Sequence, residues 1–317
     1  MSPVAETIGF VFGLVALGYV AGWAGLLKAQ TGDALTDFAV TIALPLLLFR
    51  TMAGADFHDG VPWSLWGAYF SSGAIAWLTA QFSVIYIFGR DERAGVVAGV
   101  TAAFSNQLLL GVPLILGAFG QSGFEVLSLI LSVHLPTMTA ATIILLVLVG
   151  GKGKGGGIDF VGLLRQFLST MLVNPLIIGI LAGLFWRLTS LETPSLAGRL
   201  IDSLANLAGP LALFAMGLGL RKFGLSGHLS PAVVLVAVKL VLMPAVALAM
   251  AMLFGLSPLA AKVTVAVASL PSGVNTYLIA ARFGTGQALA SNAMTIGTVC
   301  AFLTTGTWLA IAQWVFG

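Results

Sequence analysis

The chain has 317 residues, of which 59% are hydrophobic and only 8% charged, and its formal net charge is +3. A soluble domain carries about 25% charged residues, so the composition excludes a soluble enzyme or binding module and points to an integral membrane protein. The basic residues are scattered between apolar runs, which excludes a nucleic-acid-binding surface as the meaning of the positive charge.

A helix that crosses a bilayer needs about 20 mainly apolar residues. In chain order the runs predict ten spans, at about 5–27, 33–53, 64–88, 94–119, 122–149, 166–186, 196–220, 230–254, 258–283 and 286–315. The expected fold class is therefore an all-α integral membrane protein whose loops leave no room for a soluble domain. The first basic residue, Lys28, follows the first apolar run, so no cleaved signal peptide is expected.

The fourth span, from Ala94 to Phe119, is interrupted by SNQLLLGVP at 105–113. Its polar side chains lose hydration in hydrocarbon, and Pro113 has no N–H for a helical ladder. Non-helical backbone is tolerated at membrane depth only where it is buried in protein or lines a cavity. The stretch is a kink or a binding site. His134, in SVHLPT of the fifth span, reads as a proton relay or as a core histidine capping a kink. GGKGKGGG at 150–157 reads as a flexible linker, because no strand precedes it and no Gly-Lys-Ser/Thr follows.

The halves on either side of that linker resemble each other. LTDFAVTIALPLLLF in span two and LIDSLANLAGPLALF in span seven align Asp37 with Asp202, Pro45 with Pro210 and Phe49 with Phe214. LGYVAG (17–22) matches IGILAG (178–183), and AFG (118–120) matches RFG (282–284). The expected organisation is a first five-helix repeat at 1–149, a cytoplasmic linker at 150–165 and a second repeat at 166–317. An odd number of spans per half inserts the second half upside down. Inverted repeats are a mark of secondary transporters, whose sites lie at the midplane on discontinuous helices in corresponding positions.

The ninth span supplies the counterpart, SLPSGVNTY at 269–277. Substrate-binding candidates are therefore Ser105, Asn106, Gln107, Gly111 and Pro113 in span four, with Pro271, Ser272, Gly273, Asn275 and Thr276 in span nine. Broken helices expose N–H groups that attract anions, and the amide and hydroxyl side chains add neutral donors and acceptors. A small organic anion fits such a site. Neither break contains Asp or Glu, so no metal site is expected and a proton is favoured over sodium as coupling ion. No cofactor is expected; the surrounding partner is membrane lipid, and a homodimer is compatible with the sequence.

Lys239, in VAVKLVLMP, lies deep in span eight, and an intramembrane ionisable residue is a functional candidate. It reads either as coupling or charge compensation, or as solvating backbone oxygens such as the Leu240 carbonyl, which Pro244 frees. Asp37 and Asp202 read as carboxylates at the N-terminal ends of their spans, with proton coupling as the alternative. Cys300 permits no internal disulfide. Basic residues divide nine against four between the two sides of the ten-span plan, with Lys28, Arg90, Arg93, Lys152, Lys154, Arg165, Arg221, Lys222 and Arg282 on the richer side. The positive-inside rule then puts the linker in the cytoplasm and both termini outside.

ALPLLLFRTMA (43–53), FSNQLLLGVPLILGAFG (104–120), KLVLMP (239–244) and SLPSGVNTYLIAARFG (269–284) resemble the auxin efflux carrier family, which includes plant PIN transporters and bacterial permeases of the malonate type. The resemblance covers essentially the whole chain. It implies ten helices in two inverted five-helix repeats, crossed and broken fourth and ninth helices, and an elevator-like movement of organic anions across an inner membrane. Ser105 stands where the plant pattern has proline, and the plant carriers' long central loop is absent, so auxin is not transferred as the substrate. Two other readings compete: a sodium-coupled carrier like the bile-acid symporters, and a membrane sensor that binds without moving its ligand. No nucleophile–base pair or metal cluster is visible within a span, so an enzyme is not expected.

Overall fold

The computed structural model describes residues 3–54, 62–150, 162, 165, 169, 172–222, 225–227 and 229–317. The glycine–lysine linker beyond Gly150 and the loop around Asp56–Asp59 lie outside the described residues. The described chain is helical, in the order α1 (Pro3–Trp23), α2 (Ala29–Phe38), α3 (Leu44–Gly54), α4 (Trp63–Phe82), α5 (Glu92–Ala103), α6 (Val112–Gly150, two helices meeting at a non-helical Gly120), α7 (Pro175–Leu188), α8 (Ser195–Ala205), α9 (Ala208–Leu220), α10 (Ser230–Ala237), α11 (Met243–Leu253), α12 (Pro258–Ala268), α13 (Val274–Phe283) and α14 (Gln287–Phe316). Among the described residues, seven helical stretches are long and apolar enough to cross a membrane. The expected fourth and ninth spans are broken into shorter pieces, and the sixth falls partly outside the described residues.

Among the described residues, four wider π-helical segments join or extend these helices, and three of them stand two residues before a proline. Ala39–Ala43 precedes Pro45, Gln107–Gly111 precedes Pro113, and Val238–Leu242 precedes Pro244. Proline lacks an N–H, and its ring clashes with the carbonyl four residues back. A widened turn relieves that clash without ending the helix. The carbonyl freed by Pro244 is that of Leu240, and it accepts a 2.8 Å hydrogen bond from the Trp308 indole Nε1.

Two units cluster separately. The first comprises residues 1–61, 108–132 and 161–222, and the second 62–107, 133–160 and 223–317. In the first, α1 packs on α9 and α7 packs on α3. Small residues permit close approach of these backbones: a Cβ at Gly18 would lie 2.1 Å from the Phe214 carbonyl oxygen, and one at Gly179 would lie 2.5 Å from that of Pro45. Asp202 bonds Arg50 at 2.9 Å, and the same guanidinium nitrogen donates to Asn206 at 3.0 Å. This corrects the expectation for the two aspartates. Helix α8 begins at Ser195, so Asp202 falls in its last turn, and Asp37 lies about two turns into the continuous helical run Gln30–Gly54. Asp37 accepts from Thr41 Oγ1 at 3.3 Å.

In the second unit α4 packs on α5 and on α11, and α12 packs on α11 and α14. Trp77, Val96, Val100, Ala103, Phe104, Met138 and Leu146 form one apolar core there. That core walls in the first of the two breaks.

Candidate functional site

Helix α5 ends at Ala103, and Phe104–Asn106 run extended before the π turn that opens at Gln107. Helix α12 ends at Ala268, and α13 restarts at Val274 behind the extended N-cap Gly273 (φ −95°, ψ 172°). The two gaps meet. Ser105 and Ser272 form an isolated antiparallel β-bridge, and Asn106 N donates to the Pro271 carbonyl at 2.9 Å. Each gap also satisfies carbonyls that the other chain segment leaves open. Ser272 Oγ donates to Thr101 O near the end of α5 at 2.6 Å.

The C-terminal end of α12 is served by side chains from further away. Lys239 Nζ donates to Ala268 O at 2.8 Å, and Thr305 Oγ1 donates to Ser269 O at 3.1 Å. Last-turn carbonyls have no intrahelical donor and carry partial negative charge, so an ammonium is a suitable cap. Lys239 reaches the fourth-span break as well, donating to Ser105 Oγ at 2.8 Å, and its third contact is Met243 Sδ at 3.0 Å. The residue is only 2% exposed. Among the described residues it is the one formally charged side chain in the buried set, which contains no Asp or Glu.

From Ser105 the polar chain continues. Tyr69 Oη donates to Ser105 Oγ at 3.3 Å, and Gln107 Nε2 donates to Tyr69 Oη at 2.8 Å. The second Gln107 amide atom, Oε1, is buried without a hydrogen-bond partner. An orphaned buried acceptor costs about 1–3 kcal/mol, and such a group calls for an explanation in its surroundings. His134 stands beside this chain, with its ring against those of Tyr69, Phe70 and Phe104 and neither nitrogen hydrogen-bonded.

Of the sequence candidates, the structure brings together Ser105, Asn106, Gln107, Pro271, Ser272 and Gly273. A Cβ at Gly273 would meet Asn106 side-chain and Cα atoms at 3.3–3.4 Å, so a larger residue there would crowd the asparagine. Asn275 is half-buried in the first turn of α13, and Thr276 is buried with its hydroxyl on Gly273 O at 2.9 Å. Gly111 and Pro113 take no part in this pairing. They belong to the first unit, where Pro113 lies against Gly209. Tyr69, Thr101 and Thr305 were not legible as participants, because a lone hydroxyl in an apolar run bonds its own helix as readily as a neighbour.

Among the described residues no group of His, Cys, Asp and Glu is arranged to hold a metal ion. The arrangement gathers a buried lysine, the facing ends of two broken helices and the amide side chains of Asn106 and Gln107 in one place.

A family model described as membrane transport protein matches residues 3–309. A Rhizobium meliloti protein named "Putative malonate transporter" is 29% identical, over 95% of this chain and 94% of its own length. A Methanothermobacter thermautotrophicus protein named "Uncharacterized transporter" is 25% identical, over 96% and 97%. The mouse lysosomal cholesterol signaling protein is 24% identical over 65% of this chain, which spans 24% of that protein.

Proposed function

The chain belongs to the membrane transport protein family that includes the auxin efflux carriers, and from that premise we propose that it is a secondary active carrier of small organic anions, mono- or dicarboxylates such as malonate. Its working position is the inner membrane, with both termini outside, and its motion is elevator-like, the second unit carrying the cargo. The observation that supports the reading most is the pairing of the two breaks at Ser105 and Ser272, with the Lys239 ammonium bonded into both of them.

Ten spans in two inverted repeats underlie the proposal. Two structural equivalences support it beyond the sequence matches. AFG and RFG both end on glycines with positive φ, Gly120 at 63° and Gly284 at 67°, each closing the second half of a broken span. The matched glycines Gly18 and Gly179 each make a close backbone approach to the partner repeat's proline-bearing helix, at Phe214 and Pro45.

Asn106 and Asn275, together with first-turn N–H groups of α13, hold the carboxylate, Gln107 meets the other end of the cargo, and Lys239 compensates its charge. The sodium-coupled alternative lacks a buried carboxylate among the described residues. The sensor alternative has one point in its favour, the similarity to a signalling protein. Uptake of labelled malonate and related anions into proteoliposomes decides between them: a carrier accumulates or exchanges its ligand, whereas a sensor binds it and gives no flux.

A further inference from the structure

We propose that the cargo is a singly charged carboxylate that also brings a hydrogen-bond donor, so that a dicarboxylate is carried only in its monoprotonated form. The inference rests on the carrier reading above. Two independent observations carry it.

The first is the charge balance of the site. Lys239 is buried, and its three N–H donors go to a hydroxyl, a carbonyl and a thioether, all uncharged. No acid is buried among the described residues. The other titratable side chains of the cluster are Tyr69 of α4, which shares Ser105 Oγ with Lys239, and His134 of α6, whose ring lies against Tyr69; neither is a carboxylate. One unbalanced positive charge inside the membrane is matched by one negative charge on the cargo. A dianion would leave a net charge of the opposite sign and the same desolvation cost.

The second is the orphaned acceptor. Gln107, at the edge of the break, donates from its amide nitrogen to Tyr69, and its Oε1 is left buried without a donor. A carboxylate offers it only lone pairs. A protonated carboxyl offers an O–H, and so does an alcohol; an amide offers N–H. Hydrogen malonate presents both required ends, one carboxylate and one acid.

The first test needs no variant, and a second uses substitutions of Lys239. Proteoliposome uptake of malonate is compared with that of malonic acid monoamide, which has the same length, carries one charge throughout neutral pH and keeps a donor. At fixed total concentration, malonate uptake should fall about tenfold for each pH unit above its second dissociation, following the monoanion. Monoamide uptake should stay level over the same range, which also controls for titration of Tyr69, His134 or Lys239 itself. Malonate uptake that holds or rises with pH while the monoamide stays level overturns the charge assignment and leaves the carrier reading intact. Lack of uptake of any organic anion removes the carrier reading instead. Lys239→Met should weaken monoamide binding by about tenfold or more, and Lys239→Arg should recover part of the loss. Equal binding by a folded Lys239→Met protein overturns the proposal.

Discussion

Asn106 is the residue on which the binding proposal turns. Its backbone joins the two breaks through Pro271, and its side chain is buried against Gly273. A neutral hydrogen bond contributes about 0.5–1.5 kcal/mol and one to a charged group about 1.5–3. Asn106→Ala should therefore weaken anion binding by about tenfold to a hundredfold with little change in melting temperature, as measured by ligand-induced thermal shift. Asn106→Asp should be worse than alanine, since it sets a like charge against the cargo; parental affinity in that variant would move the site elsewhere. The break itself was legible, because Ser, Asn, Gln, Gly and Pro are costly in the middle of a span. Its geometry was not. The proline at 113 drew attention, yet the chain opens at Phe104–Asn106, where no proline stands. Proline removes a donor at its own position and restricts the residue before it, whereas this opening depends on the partner strand at Ser272. The carbonyl of Ala268 that holds Lys239 was equally hidden, because a backbone acceptor carries no residue signature.

Within the eighth span the departure from regular helix has a local cause. The π segment Val238–Leu242 sits before Pro244 and contains Lys239, while the released Leu240 carbonyl is taken by Trp308. An inserted residue in a helix turns everything beyond it by about 100° relative to a regular 3.6-residue ladder. Pro244→Ala restores the missing N–H and permits the turn to tighten, which would swing Lys239 away from Ser105 and Ala268. The expected outcome is a folded, thermally stable protein whose uptake is reduced at least about tenfold. Retained uptake would show that tertiary contacts alone hold the lysine in place. The proline spacing alone locates the freed carbonyl, and it leaves Lys239 as one of two readings for the group that solvates it. The lysine was a candidate to solvate such an oxygen, and an indole from α14 does so instead. Long-range partners of this sort depend on packing that local periodicity does not encode.

For the whole chain, the hydrophobic runs were readable because they are a property of apolar periodicity over tens of residues. The division into units was not, since the boundary after Gln107 cuts the fourth span and no composition shift marks it. Orientation is open to direct measurement. On a background without Cys300, a cysteine near Asp56 should react with an impermeant thiol reagent in intact cells, and one at Gly155 should react only after permeabilisation. Reaction at Gly155 from outside would invert the proposed topology. The solitary buried cation has a further consequence, in bioenergetic terms. Under the proposed assignment the loaded site is electroneutral, and the vacant site carries one positive charge across the membrane. Moving one charge through the field is worth about 2.3 kcal/mol per 100 mV, a bias of about fiftyfold for a full traversal. An interior-negative potential therefore holds the vacant site toward the cytoplasm. Exchange of anion for anion should be insensitive to an imposed potassium diffusion potential, whereas net efflux should accelerate with it. Without a companion proton, the voltage alone makes this carrier an exporter.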